Sequence, residues 1–267
     1  MQYTYPYGKH MALTFSYDDG QCFDRRLVER FNKYGLKATF HLNSGRLGYS
    51  DEKSSFVEKE EIKNLYAGHE IACHGVYHKD PLLLTKQQIL KEYWEDRETL
   101  EDLTGRLVQG LSYAYGRFNK TTKLVAEAAG IKYSRTVRST HDFRIPSDFM
   151  EWDPTCHHND QRLMELGNDL LNSPAHREMP LMYVWGHSYE FDRDNTWDMM
   201  EDFCKLMAGH DNVWYATNLE IFNYLSAIHR LEYSVDEKTI FNPSSLSVWL
   251  MDDSTLIECK QGSATEL

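Results

Sequence analysis

The sequence predicts an α/β fold, a (β/α) barrel of about seven strands with a small C-terminal β appendage. Short apolar segments alternate with helical ones up to residue 230, which is typical of a parallel sheet covered by helices. About seven such units fit a barrel, and a doubly wound open sheet is the alternative. After residue 230 the pattern changes to short strand-like segments separated by turn residues. We therefore expect a barrel domain over residues 1–230 and a β-rich extension over 231–267, packed on the barrel.

The individual elements follow from local patterns. Strands are predicted at 11–16, 38–42, 70–73, 107–113, 131–136, 181–185 and 213–215, and in the appendage at 232–235, 239–241, 246–251 and 255–259. Helices are predicted at 23–34, 60–67, 85–103, 121–129, 160–171, 196–207 and 217–230. Thr85 with Gln88, and Thr217 with Glu220, have the spacing of capping boxes and are expected to start two of these helices.

The composition excludes several classes of protein. Of 267 residues, 41% are hydrophobic and 26% charged, as in ordinary globular chains. The net charge of −12 disfavours nucleic acid and anionic lipid as partners. No apolar run approaches the roughly 18 residues of a membrane span. The N-terminus shows no signal-peptide pattern, which predicts a cytoplasmic protein as written, or a secreted one if a leader has been removed. The oligomeric state is not predicted.

Acidic and imidazole residues stand where two predicted strands end, which is where parallel α/β folds carry their functional groups. Asp18 and Asp19 follow the first strand, and adjacent carboxylates stay ionised only if a cation or a donor compensates their repulsion. His74 and His78 follow the third strand and can converge on one metal. Taken alone, each motif is better explained as a surface turn or as a pair of surface or capping histidines. Together they predict a three-ligand metal site with an open position for water, and a free carboxylate beside it.

Two more strand ends carry candidate groups. A turn at Tyr115 and Gly116 can aim a backbone N–H into the site as an oxyanion donor, although a plain turn is the alternative. His187 is well placed as an acid or base near neutral pH, with a structural histidine as the alternative.

These motifs, in this order, resemble those of the polysaccharide deacetylase family (carbohydrate esterase family 4) over about residues 10–228. Residues 14–20 resemble the T-F-D-D-G motif with a two-residue insertion before the acids. Residues 68–78 resemble the H-[ST]-x-x-H motif, with Gly75 in place of the hydroxyl residue. The resemblance implies a distorted (β/α) barrel and a metal-dependent hydrolase that removes N- or O-acetyl groups from a carbohydrate.

The resemblance also implies roles by position. Asp18 would be the general base, His187 the general acid and Tyr115 the backbone oxyanion donor. The ligands of one divalent metal, expected to be zinc, would be Asp19, His74 and His78, and a water activated by that metal would be the nucleophile. Two tryptophans, Trp152 and Trp185, could wall a pocket for the acetyl methyl or stack on a sugar ring, with ordinary core positions as the alternative.

The sequence departs from the family pattern in several places. The arginine that braces the base in the family falls on Ser112 here, and we expect Arg117, or failing that Arg144 or Arg138, to replace it. Ser188 follows the candidate acid where the family often has an aspartate. The family's Asp-Trp motif is represented only by Glu-Trp-Asp at 151–153. The histidines at 157 and 158 have no assigned role.

Two other functions remain open from the sequence. One is hydrolysis of another C–N (amide) bond in a small metabolite, which the apparent cytoplasmic location favours. The other is a carbohydrate-binding protein with a degenerate site, which the joint retention of the acidic and imidazole residues disfavours.

Overall fold

A curled sheet of parallel strands forms the centre of the computed structural model, which describes residues 1–174, 176 and 178–267. A short strand, β1 (Gln2–Thr4), precedes it. The parallel strands are β2 (Met11–Asp19), β3 (Ala38–Leu42), β4 (Glu70–Cys73), β5 (Gly110–Ser112), β6 (Tyr133–Arg135), β7 (Cys156–His157), β8 (Leu181–His187) and β9 (Val213–Tyr215). Seven of them follow the order β6-β5-β4-β3-β2-β8-β7, and β9 pairs with β2. The predicted distorted barrel is confirmed.

Strand β2 is the axis of the sheet. All nine of its residues are buried, and it pairs with β8 along one edge from Ala12 to Asp18. Its other edge is shared by β9, at residues 11–13, and β3, at residues 15–19. The two ends of the sheet approach each other through an isolated parallel bridge between Arg135 and Trp152, just before β7. The carboxyl ends of β2, β4, β5, β6 and β8 therefore surround one opening.

Helices cover the outside of the sheet. They are α1 (Asp24–Lys33), α2 (Ile62–Leu65), α3 (Lys86–Thr104), α4 (Lys120–Ala128), α5 (Leu163–Leu171), α6 (Ser188–Arg193), α7 (Trp197–Met207) and α8 (Asn218–Ile228). Both predicted capping boxes are present, Thr85 with Gln88 before α3 and Thr217 with Glu220 before α8. The outward-facing Phe15 packs against Phe31 of α1 and Phe203 of α7, with ring centroids 4.7 and 6.1 Å apart. This layer buries the apolar face that the helical spacing predicts.

The chain after α8 forms short antiparallel strands. They are β10 (Glu232–Tyr233), β11 (Thr239–Asn242), β12 (Val248–Asp252), β13 (Thr255–Cys259) and β14 (Ser263–Glu266). β10, β11 and β14 make one sheet, while β12 and β13 form a second sheet with β1. Val248 and Leu250 lie in the same buried cluster as Tyr224 and Leu225 of α8, so this part packs on the helical layer. The boundary at residue 230 stays a prediction, and β1 is an N-terminal strand that joins the C-terminal sheet.

No helix among the described residues combines the length and the apolar character that a membrane crossing would need.

Candidate active site

Three candidate ligands converge at the carboxyl ends of β2 and β4. Asp19 is the last residue of β2, and His74 and His78 lie in the loop after β4. The Asp19 Oδ1 atom is 3.7 Å from His74 Nε2 and 4.0 Å from His78 Nε2. One ligand atom from each residue lies within 4.8 Å of the other two. The structure thus brings together the three residues that the spacing predicts.

The donor atoms of this cluster fit a metal ion. Asp19 Oδ1 and His74 Nε2 are buried and have no hydrogen-bond partner among the described residues. Buried polar atoms are normally paired, so two lone-pair atoms that face each other without a hydrogen bond form a donor pair that a cation would satisfy. Burial and the neighbouring His74 lower the pKa of His78 to about 4, which leaves its ring neutral and able to bind a metal at pH 7.

Hydrogen bonds on the side of the ring away from Asp19 fix the orientation of His74. Its Nδ1 lies 2.9 Å from the Ser112 carbonyl oxygen and 2.6 Å from the Ser112 hydroxyl oxygen. A proton on Nδ1 that is donated to this carbonyl leaves the Nε2 lone pair facing Asp19. The backbone N–H of His74 donates to the buried Asp96 carboxylate at 2.9 Å. This arrangement sets the tautomer that metal binding requires.

Asp18, the residue predicted to be the base, is buried beside the ligand cluster. It accepts hydrogen bonds from the Ser112 hydroxyl, at 3.1 Å, and from the guanidinium of Arg135. Burial alone would raise the pKa of Asp18, but the positive charge of Arg135 holds it well below its usual range. Asp18 is therefore ionised at neutral pH.

The sequence prediction for the bracing arginine is wrong in its choice of residue. Arg117 pairs with Asp80, Arg138 with Asp153 and Arg144 with Asp142, each away from Asp18. The partner of Asp18 is Arg135, the last residue of β6, with an exposed fraction of 1%.

The strand register explains how this arginine reaches the base. Ser112, which stands at the family's arginine position, is paired across the sheet with Arg135. The guanidinium therefore enters the same space from the neighbouring strand. A single arginine in a short strand gives no sequence signal of its own, so the register of β5 and β6 was needed to find it.

The two tryptophans proposed for substrate contact differ in the structure. Trp152 has an exposed fraction of 1% and packs against Tyr133, Phe149 and Tyr183. It belongs to the core, so its predicted role at the substrate is wrong. Trp185 covers the Arg135 guanidinium, with 4.3 Å between the guanidinium carbon and the ring centroid. Contact between the Trp185 ring and a substrate stays a prediction.

His187 lies at the end of β8 on the other side of Asp18, with which it is paired in the sheet. Its Nδ1 is 3.4 Å from the Glu190 carboxylate. Burial opposes the charged ring, but the nearby Glu190 carboxylate and then the Asp18 charge raise its pKa overall. The ring therefore carries a proton to higher pH than an ordinary histidine.

The histidines at 157 and 158 share the Glu190 carboxylate with His187. His157 Nε2 lies 3.0 Å and His158 Nε2 3.4 Å from Glu190 Oε2. Because His157 Nδ1 accepts the backbone N–H of Asn159, its proton sits on Nε2 and points at Glu190. His157, His187 and Glu190 thus form a second group of candidate ligand atoms that lie within 4.8 Å of one another. The sequence offered only the residue types here, because the carboxylate comes from the unpredicted helix α6.

Backbone strain marks the same opening. Asp19, His78 and Tyr115 have φ values of 80°, 55° and 58°, a region that side chains other than glycine rarely adopt. Gly116 and Arg117 donate their backbone N–H groups back to residues 113 and 114, at 2.8 and 3.1 Å. The Tyr115 N–H, by contrast, donates to no backbone oxygen of this turn among the described residues. Strain of this kind concentrates at functional sites, where the surrounding structure maintains it.

A cavity of about 710 Å³ opens beside His78. Its lining includes Arg46, Tyr77, Leu83 and Tyr115. The side chains of Tyr77 and Tyr115 are more than half exposed. Aromatic rings of this kind offer faces on which a sugar ring can stack. The ligand cluster therefore lies at one end of a solvent-accessible groove.

The curled parallel sheet with a carboxylate and imidazole cluster at its carboxyl edge defines an α/β barrel protein with a candidate metal centre. Residues 5–134 match the family model described as polysaccharide deacetylase. The first half of the chain is thus similar to the polysaccharide deacetylase family.

Individual relatives give the extent of the similarity. A peptidoglycan deacetylase of Helicobacter pylori is 31% identical over 113 residues, which are 42% of this chain and 36% of that protein. A putative polysaccharide deacetylase of Bacillus subtilis is 34% identical over 110 residues, 40% of this chain and 36% of that protein. The matched segment thus spans about a third of each relative's length.

The solved structure of a putative polysaccharide deacetylase from Mycobacterium smegmatis has a TM-score of 0.62 at 18% identity and covers 86% of this chain and 95% of its own. At this identity the similarity shows a shared fold.

Proposed function

We propose that this protein is a metal-dependent hydrolase that removes acetyl groups from a carbohydrate. The observation that carries the proposal is the pair of unpaired buried atoms, Asp19 Oδ1 and His74 Nε2, which face His78 beside the separate carboxylate of Asp18. Similarity to a peptidoglycan deacetylase supports the acetylated carbohydrate as substrate.

We propose zinc as the ion, because two imidazoles and one carboxylate form a donor set that catalytic zinc sites use. Asp19, His74 and His78 would hold it and leave an open position. When bound there, zinc lowers the pKa of a water molecule toward 7 and polarises a carbonyl oxygen.

Different residues of this chain then carry out the individual proton transfers. Asp18 takes a proton from the water that adds to the acetamide carbon, and Arg135 keeps Asp18 ionised for that purpose. The Tyr115 N–H would donate a hydrogen bond to the oxygen on which negative charge develops. His187 gives a proton to the nitrogen as the C–N bond breaks, so that acetate and a free amine leave. Glu190 keeps His187 charged until that step.

The experiment combines metal analysis with acetate release from N-acetylated chito-oligosaccharides. We expect one bound metal in the wild type and its loss in His74→Ala and His78→Ala, with the exposed His229→Ala as a control. Asp18→Asn should keep the metal and lose about 100- to 10,000-fold in turnover, because it removes the base with little change in shape.

Unchanged stoichiometric metal in both histidine variants would overturn the metal assignment. Near wild-type turnover in Asp18→Asn would overturn the role of Asp18. Binding of the oligosaccharide by the wild type without acetate release would favour the degenerate binding protein, and release of ammonia or an amine only from small amides would favour the other C–N hydrolase.

A further inference from the structure

The hydroxyl group of Ser112 lies between the proposed base and one of the proposed metal ligands. Ser112 is the last residue of β5 and is fully buried. Its Oγ atom is 2.6 Å from His74 Nδ1 and 3.1 Å from Asp18 Oδ1. One hydroxyl group therefore forms hydrogen bonds with both parts of the site, the ligand cluster and the base.

The chemistry of the two neighbours determines the direction of both hydrogen bonds. A hydroxyl has a single proton and an ionised carboxylate can only accept, so Ser112 donates to Asp18. The Ser112 oxygen then accepts from His74, which requires the ring proton to be on Nδ1. The Ser112 carbonyl oxygen, 2.9 Å from the same nitrogen, requires this tautomer too. All these groups are satisfied together only when His74 Nε2 has a free lone pair, which is the form that binds a metal.

The two carboxylate oxygens of Asp18 have different partners. Arg135 donates to Oδ2, whereas Ser112 donates to Oδ1. Oδ2 also lies 3.7 Å from His74 Nε2, on the side of the ligand cluster. The terminal torsion of an aspartate is soft, so a carboxylate held at one oxygen can still turn. A second donor on the other oxygen restricts that rotation.

We infer that Ser112 is a positioning residue for the proposed reaction, whose hydroxyl holds Asp18 Oδ1 so that Oδ2 faces the ligand cluster. The hydroxyl can do this only while His74 has its proton on Nδ1. Ser112 therefore ties the orientation of the base to the metal-binding form of the ligand. This inference rests on the proposed function and extends it to a residue that is buried away from the substrate groove.

The direction of the hydrogen bonds gives the expected effect of a substitution. Ser112→Ala removes the hydroxyl but keeps the backbone carbonyl that accepts from His74. The tautomer of His74 and the metal content should therefore stay as in the wild type, and so should KM. Asp18 keeps its bond to Arg135 and loses the donor on Oδ1, so kcat should fall about 10-fold.

The test measures kcat and KM on N-acetylated chito-oligosaccharides, together with bound zinc per chain, for the wild type and Ser112→Ala. Ser134→Ala is the matched control, because Ser134 is another fully buried serine, on the neighbouring strand β6 and on the opposite face from Arg135. We expect kcat per bound zinc to fall in Ser112→Ala and to stay unchanged in Ser134→Ala. A purely structural role would lower zinc content and kcat together. That result, a change in KM instead of kcat, or an unchanged kcat would overturn the inference.

Crystal structures of the wild type and Ser112→Ala, both grown with zinc, separate this inference from the proposed function. If the wild type releases no acetate, the proposed function fails, yet the inference still requires the Asp18 carboxylate to turn in the variant while the His74 ring stays in place. A carboxylate that keeps its orientation without the Ser112 hydroxyl would contradict the inference even in an active enzyme.

Discussion

At the scale of single residues, Glu190 determines up to which pH His187, the proposed acid, keeps its proton. The His187 pKa is raised despite burial, with the Glu190 carboxylate as the largest favourable cause. An acid must be protonated, so activity is lost as the pH rises through that pKa. In Glu190→Gln the pKa should fall, because a nearby opposite charge is worth about 1 to 3 units, and the basic limb of the pH–rate profile should move to lower pH.

The measurement is kcat/KM against pH for the wild type and Glu190→Gln. Glu165→Gln serves as the control, because Glu165 is an exposed glutamate paired with Arg162 on the surface. A basic limb that stays in place in Glu190→Gln would assign the acid to another residue.

The sequence was informative about residues that sit in a recognisable motif at a strand end. Asp18, Asp19, His74 and His78 lie together because parallel strands bring their carboxyl ends to one edge. Arg135 could not be found in this way, because its role depends on the pairing of β6 with β5. Glu190 could not be found in this way either, because it reaches the site only through helix α6, which starts directly after β8.

Strand β8 gives a prediction at the scale of elements. A Cβ at Gly186 would overlap the ring of His158, which is stacked between Tyr17 and Phe191 with centroids 5.7 and 4.1 Å away. The ring has no room to move, so Gly186→Ala should cost about 1 to 3 kcal/mol in the free energy of unfolding, measured by urea denaturation. In the His158→Ala background the overlap is gone and the cost should be smaller. An equal cost in both backgrounds would contradict this steric explanation.

Element prediction succeeded where the signal was local. Both capping boxes lie within four residues of chain, and each marks the start of its helix. Strand β7 and helix α6 were missed because two and six residues are too few to show a period. Strand β1 was missed because its partner is β12, where Gln2 pairs with Met251 from the other end of the chain.

The end of the sheet opposite the site, where β4 begins, bears on the stability of the whole molecule. Glu70, the first residue of β4, accepts hydrogen bonds from Tyr133 at 2.6 Å and from Thr39 and the Leu219 N–H, both at 2.8 Å. Burial raises the pKa of Glu70 to about 7, and these donors oppose the rise without cancelling it. Between about 4.5, its ordinary value, and 7, the folded protein thus holds a proton that the unfolded chain has lost.

That difference fixes the sign of the pH dependence. The stabilising contribution of Glu70 is fully present below about pH 4.5 and is lost as the pH rises through 7, with a slope of at most about 1.4 kcal/mol per pH unit. Glu70→Gln resembles the protonated form at every pH and lacks this slope. We therefore expect the free energy of unfolding of the wild type to fall more steeply than that of Glu70→Gln between pH 5 and 8. The exposed Glu232→Gln, as a control, should keep the wild-type slope. Equal slopes for the wild type and Glu70→Gln would mean that the three donors keep Glu70 ionised in the folded protein, and that hydrogen bonding outweighs burial at this end of the barrel.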